Sequence, residues 1–172
     1  MLYYITGGER SGKSNHAQNL ALQLSDTPYY LATSRIWDAN HQQRIDRHVA
    51  ERDERWISIE EEKELSKVIP DNSVVVIDCV TLWLTNFFVD TKNDVELSLT
   101  QAKTEFDKLI SINAIIIIIS NEIGMGVHAT TEVGRKFTEL QGWMNQHIAK
   151  HADNAILMVS GIPVLIKGTT TV

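Results

Sequence analysis

Gly7, Gly8, Glu9, Arg10, Ser11, Gly12, Lys13 and Ser14 spell G-x-x-x-x-G-K-S. They follow an apolar run, Leu2 to Ile5, and precede Ala17, Leu20, Ala21 and Leu24 at helical spacing. Strand, glycine-rich loop and helix in this order make a phosphate-binding loop. The glycines let successive backbone N–H groups converge on phosphate oxygens, and the new helix adds its positive end. Lys13 is placed to reach the β- and γ-phosphates, and the Ser14 hydroxyl to ligate Mg²⁺. A plain strand-to-helix turn is the structural alternative, and the flanking pattern disfavours it.

A second candidate for the same chemistry is Asp78, which ends the apolar run Val74-Val75-Val76-Ile77. In P-loop enzymes an acid so placed helps hold Mg²⁺. The alternative is that Asp78 only opens a turn. No Asp begins D-x-x-G and no N-K-x-D occurs, so a GTPase-type switch loses its main support. Residues 44–56 carry a different possibility. On a helix Arg44, His48 and Arg52 form one stripe, with Trp56 following. A histidine between two arginines resists protonation, and neutral imidazole is a nucleophile. Taken alone, however, this charged run reads more readily as a solvated helix whose Glu51, Asp53 and Glu54 pair with the arginines.

These groups need a scaffold. Strands are expected at Leu2–Thr6, Tyr29–Thr33, Val74–Asp78, Ala114–Ser120 and Ala155–Ser160, with weaker ones at Trp56–Glu60 and Val164–Lys167. Helices are expected at 13–24, 38–53, 61–68, 94–111 and 131–150. The β-branched runs Val74–Ile77 and Ile115–Ile119 read as strands buried on both faces of a parallel sheet. The alternation predicts an α/β, P-loop NTPase-type, doubly wound and mostly parallel sheet flanked by helices, in a single domain over 1–168 with a frayed tail at 169–172. Ligands of such sheets bind beyond the carboxyl ends of the strands, where the motifs fall. Asp90–Asp94 reads as a loop and Pro70-Asp71-Asn72 as a turn.

Composition sets bounds. The chain has 172 residues, 43% hydrophobic and 22% charged, with a net charge of −6. The acidic balance argues against nucleic acid as a partner. The single cysteine, Cys79, rules out an intrachain disulfide and reads as a small buried hydrophobe. No charged leader precedes the first strand, and Ala114–Ile119 is too short to span a bilayer, so a cytoplasmic protein without obligate membrane association is expected. His147 and His151 lie four apart and could share a metal, but no third ligand is evident, and they read as surface residues of a helix.

Several ordered blocks then resemble one family, the bifunctional adenosylcobinamide kinase / adenosylcobinamide-phosphate guanylyltransferases of cobalamin biosynthesis. They are Gly7–Ser14; Tyr30-Leu31-Ala32-Thr33; Arg44-Ile45, His48, Arg52 and Trp56; Asp78-Cys79-Val80-Thr81-Leu82-Trp83-Leu84-Thr85-Asn86; and Ser120-Asn121-Glu122-Ile123-Gly124-Met125-Gly126. Gly134-Arg135 with Phe137, Gly142 with Asn145-Gln146, Ala152-Asp153 and Ser160-Gly161-Ile162-Pro163 complete the set, so the resemblance runs from about residue 2 to 168. It implies ATP or GTP as phosphoryl donor, Mg²⁺, a corrinoid acceptor (adenosylcobinamide) and a homotrimer. It puts the guanylylated histidine on His48, against the bland reading of that helix. It puts nucleotide contacts on Gly7–Ser14, Ala32, Thr33, Ser34, Val49, Ala50, Glu51, Arg52, Glu60 and Asp78, with Ser14 and Asp78 on the metal. The chain departs from the family at Asn40-His41 and at Val127-His128-Ala129, in loops that could face the corrinoid. A monofunctional P-loop small-molecule kinase and a non-catalytic nucleotide-binding subunit are the alternatives.

Overall fold

The computed structural model describes residues 1–35 and 53–169. Seven strands, β1 (Leu2–Gly7), β2 (Tyr29–Ala32), β3 (Ile57–Glu60), β4 (Val74–Asp78), β5 (Ile115–Asn121), β6 (Asn154–Val159) and β7 (Ile162–Lys167), form one sheet. Their order is β3-β2-β4-β5-β1-β6-β7. All neighbouring pairs are parallel except β6–β7, an antiparallel hairpin. The central β4 and β5 are nearly unbroken Val and Ile because both of their faces are covered.

Two apolar layers sandwich the sheet. On one face Tyr3, Ile5, Val76, Ile117 and Ile119 pack under α1 (Lys13–Leu24) through Ala17, Leu20 and Ala21. On the other, Tyr4, Val75, Ile77, Ile116 and Ile118 pack under α2 (Val80–Asp90), α3 (Val95–Leu109) and α4 (Glu132–His151). Trp83, Phe106 and Leu140 are fully buried there. Side chains start two of these helices: Asp94 accepts from Leu97 N, and Thr131 accepts from Gly134 N.

The strand expectations all hold to within one or two residues. The helix expectations need three corrections. The segment 61–68 is only a 3₁₀ turn at Leu65–Lys67, and α2 is a helix that periodicity misses. Its sequence, VTLWLTNFFVD, is apolar on most sides because Val80, Trp83, Leu84, Phe87 and Phe88 are buried, so there is no polar stripe to reveal a 3.6 period. Asp90 ends that helix and is not part of the loop. The expected helix over 38–53 lies almost wholly outside the described residues, as do 170–172 of the expected tail.

Candidate functional site

The parallel registers bring the ends of separate strands level with one another. Gly7 pairs with Asn121 on one side and Met158 on the other. Ala32 lies level with both Asp78 and Glu60. The residues named from motifs far apart in sequence therefore share one rim, the carboxyl edge of the sheet.

The loop Gly7–Ser14 sits over this rim. Gly12 occupies the left-handed region (φ 95°) immediately before α1, and a Cβ there would lie 3.2 Å from the Gly161 Cα. Gly161 belongs to the tight Ser160-Gly161 turn of the β6–β7 hairpin, where both residues have positive φ. Its N–H donates to the Ser11 carbonyl at 2.9 Å, so the hairpin tip braces the loop. No side chain caps the start of α1. An uncapped helix start of this kind is where such loops take up phosphate. A cavity of about 470 Å³ opens here beside Arg10, Ser11, Lys13, Ser14, Asn15 and Gln18.

Lys13 is 7% exposed, not solvent-facing as a loop cation would be. Its ammonium donates to the Gly8 carbonyl at 2.5 Å and to Ser11 Oγ at 3.5 Å. Burial lowers its pKa from the ordinary lysine value, while Asp78 and Glu9 are among the groups that oppose that shift. The lysine is thus held across the loop by the Gly8 carbonyl and the Ser11 hydroxyl.

Asp78 faces the same loop. Its Oδ2 accepts from Ser14 Oγ at 3.0 Å and from the Tyr30 hydroxyl at 2.6 Å. Thr33 fixes the backbone that follows: its Oγ1 donates to the Cys79 carbonyl and accepts from Cys79 N, at 2.8 and 2.9 Å. Asn86, on α2 and fully buried, donates to the carbonyls of Thr33 and Glu62, both at 2.8 Å. Cys79 itself is buried and its thiol is pushed up to about 12, mainly by loss of solvation, so it packs as a small hydrophobe and not as a nucleophile.

Gly7–Ser14, Ala32, Thr33 and Asp78 are therefore brought together. Ser34 continues from β2 along the rim, and Glu60 stands exposed at the end of β3, separated from β4 by β2. His48, Val49, Ala50, Glu51 and Arg52 lie outside the described residues, as does Arg44. His147 is more than a surface residue. Its ring packs edge-on against Phe106 at 5.4 Å, and its Nε2 lies 3.2 Å from Asp107 Oδ1. Among the described residues no three His, Cys, Asp or Glu side chains are grouped to hold a metal.

Three contributors escape sequence reading. Tyr30 betrays itself only as a tyrosine in a buried strand, whose hydroxyl must find a partner. Asn86 is a polar residue on an apolar helix, which requires the same. Arg35 gives no such signal. It bonds Glu62 at 2.7 Å and Asp90 at 3.0 Å, and Lys63 joins Asp90 at 2.8 Å. This network ties the chain leaving β2 to the end of α2.

A parallel sheet whose first strand feeds G-x-x-x-x-G-K-S, with a strand-end carboxylate on the loop's serine, defines a P-loop nucleotide-binding enzyme. The fold agrees with a prototypical ATPase from the type III secretion system of pathogenic bacteria, at TM-score 0.53 and 10% identity over 91% of this chain and 50% of that one. The family model for "Cobinamide kinase / cobinamide phosphate guanyltransferase" matches residues 3–166, and the chain belongs to this family. It is 35% identical to the bifunctional adenosylcobalamin biosynthesis protein CobU of Escherichia coli (strain K12), over 97% of this chain and all of that one. Against the corresponding protein CobP of Pseudomonas aeruginosa the figure is 32%, over 95% and 96% of the two chains. No helix among the described residues is long and apolar enough to cross a membrane.

Proposed function

We propose that this chain works as a cobinamide kinase and cobinamide-phosphate guanylyltransferase in which the P-loop serves the first reaction and His48 carries the guanylyl group in the second. The observation that carries the kinase half is a cavity of about 470 Å³ lined by Lys13 and Ser14, with Asp78 bonded to the Ser14 hydroxyl at 3.0 Å. The loop amides and Lys13 bind the triphosphate of ATP or GTP. The acceptor hydroxyl of adenosylcobinamide attacks the γ-phosphorus, the bond to the β-phosphate oxygen breaks, and the hydroxyl proton passes to solvent as the nucleoside diphosphate leaves. Ser14 and Asp78 are hard oxygen donors in mutual contact, a set that suits Mg²⁺ with the substrate phosphates completing its shell. When bound there, Mg²⁺ supplies charge neutralisation at the β- and γ-oxygens.

For the second reaction His48 attacks the α-phosphorus of GTP, pyrophosphate leaves, and a P–N bond holds GMP on the imidazole. The phosphate ester of cobinamide phosphate then attacks the same phosphorus and the P–N bond breaks, giving adenosylcobinamide-GDP. Supporting this assignment are the family membership and the position of His48 in the block Arg44-Ile45, His48, Arg52 and Trp56. Val49, Ala50, Glu51, Arg52, Ala32, Ser34 and Glu60 contact the nucleotide in this reading, while Thr33, fully buried on the Cys79 backbone, supports the rim from beneath. One loop does not easily present both the α- and the γ-phosphorus to different nucleophiles, so GTP binds in two modes in this reading.

The enzyme is a cytoplasmic homotrimer in this reading. Ile162, Val164 and Ile166, exposed on β7 at the edge of the sheet, offer apolar side chains to a neighbouring subunit. Product mass tests the two activities separately. Cobinamide with ATP alone should yield only its phosphate ester, and adding GTP should convert that ester to cobinamide-GDP. Absence of the ester with either triphosphate would overturn the kinase; an ester that GTP never converts would leave the monofunctional kinase.

A further inference from the structure

Resting on the reading above, we propose that Tyr30 is a positioning residue for phosphoryl transfer: its hydroxyl fixes the Asp78 carboxylate so that Oδ2 serves Ser14 and Oδ1 is left for Mg²⁺. A carboxylate does not orient itself, because the last torsion of an aspartate side chain is broad and nearly two-fold. Ser14 Oγ gives Asp78 one bond, at 3.0 Å. That hydroxyl belongs to the phosphate loop and is itself a candidate ligand of the ion. An orienting group independent of the loop is needed, and Tyr30 supplies it from β2.

The reach of the side chain is specific. Tyr30 lies level with Val76 of β4, and Asp78 lies two residues further on, level with Ala32. The ring leans along the strand to the rim, where its hydroxyl donates to Asp78 Oδ2 at 2.6 Å. That is the length of a strong hydrogen bond to an ionised oxygen. The ring cannot follow the carboxylate if it turns. Tyr30 is 4% exposed, packed in the layer under α1 with Val76 and Ala17. The Trp56 ring stands edge-on to it, centroids 6.0 Å apart at 81°. Phenylalanine would fill this layer as well, so the hydroxyl acts at the rim and not in the core.

Both donors meet on the same oxygen. Among the described residues no hydrogen bond reaches Asp78 Oδ1, and the carboxylate is only half buried. One oxygen is thus committed to holding the geometry and the other is open to a cation or to a water on it. Groups that orient a metal-supporting carboxylate in this way change metal affinity when removed, while the substrate's own contacts stay in place.

The test is calorimetric binding of a non-hydrolysable ATP analogue, in EDTA and over a series of Mg²⁺ concentrations, on wild type and Tyr30→Phe. Wild type must bind the analogue more tightly with Mg²⁺ than in EDTA, and Asp78→Asn must need more Mg²⁺ for that gain. If either fails, the placing of Mg²⁺ on Ser14 and Asp78 is wrong and this proposal falls with it. Given both, Tyr30→Phe should match wild type in EDTA and need at least about tenfold more Mg²⁺ for half of the gain. Its kinase turnover at saturating Mg²⁺ should stay near wild type. On an Asp78→Asn background Tyr30→Phe should add little, because it acts through that carboxylate. A folded Tyr30→Phe with the wild-type Mg²⁺ requirement overturns the proposal. So does an effect that adds in full to that of Asp78→Asn; either result makes Tyr30 a core side chain only. Trp56→Leu keeps the hydroxyl but unseats the ring, and should raise the Mg²⁺ requirement by less. Should Tyr30→Phe not fold, a wild-type requirement in Trp56→Leu overturns the proposal equally.

Discussion

The loops that follow β1 and β5 stand side by side on the same rim and are built on opposite principles. The first, Gly7–Ser14, is internally bonded: Lys13 is buried on its own carbonyl, Ser14 is tied to Asp78, and the Gly161 N–H braces Ser11. The second, residues 122–131, is fastened only at its ends and turns its hydrophobic side chains outward. Phosphate is a small, strongly charged target of fixed geometry. It rewards donors that are already in place, because charge-assisted hydrogen bonds lose strength with small displacements.

This contrast predicts how substitutions should divide. The largest effect belongs to Lys13→Ala. Removing the one buried cation of the phosphate loop should lower kinase turnover by about 10³-fold or more, in the range seen when a preorganised charge is removed from a transition state. The fold should remain, since the Lys13 hydrogen bonds stay within the loop. Near-normal turnover in a folded variant would break the account of this loop.

Asp78→Asn should act next in size. It keeps the shape but loses the negative charge that faces Ser14 and the Tyr30 hydroxyl. The Mg²⁺ concentration for half-maximal activity should rise about 10- to 100-fold, as for other changes at metal-supporting residues. An unchanged Mg²⁺ titration would instead make Asp78 a turn residue.

The smallest effect concerns stability and lies away from both loops. Hydrogen bonds from Arg35, then from Lys63, hold Asp90 down at about 2. A carboxylate depressed in the folded state contributes stability above its unfolded pKa, near 3.9, and that contribution disappears as pH falls through the folded value. Asp90→Asn should therefore lower Tm at pH 6, and the gap to wild type should close between about pH 4 and pH 2. A gap independent of pH would show that Asp90 does not act through its charge.

How much of this was legible in the sequence differs by element. The phosphate loop carries its chemistry in residue types and spacing, and the strands announce themselves as Val and Ile runs, so Gly7–Ser14, Asp78 and the sheet could be placed from the chain alone. The adjacency of Ala32, Asp78 and Glu60 could not, because it depends on strand order, and β2 pairs with β4 only through long crossovers. Helix α2 was hidden by being buried on most sides. The support under the site was hidden for another reason: Asn86, Tyr30 and Arg35 act through partners distant in sequence, at separations of 24 to 55 residues. Local spacing carries no trace of such pairs. The assignment to His48 came from resemblance, since its charged surroundings read by themselves as an ordinary solvated helix.

The central claim is that two separate groups carry the two transfers, and one labelling experiment addresses it. Wild-type protein incubated with GTP labelled at the α-phosphate, without acceptor, should become covalently labelled; GTP labelled at the γ-phosphate should leave it unlabelled. The adduct should be acid-labile and stable in alkali, as a phosphoramidate is. His48→Asn should take up no α-label and lose guanylyl transfer by several orders of magnitude, about the loss expected for a missing covalent nucleophile. Its phosphorylation of cobinamide should persist, because Lys13, Ser14 and Asp78 are untouched. Covalent α-label on the His48→Asn protein would contradict the account, and so would loss of both activities together in a folded variant.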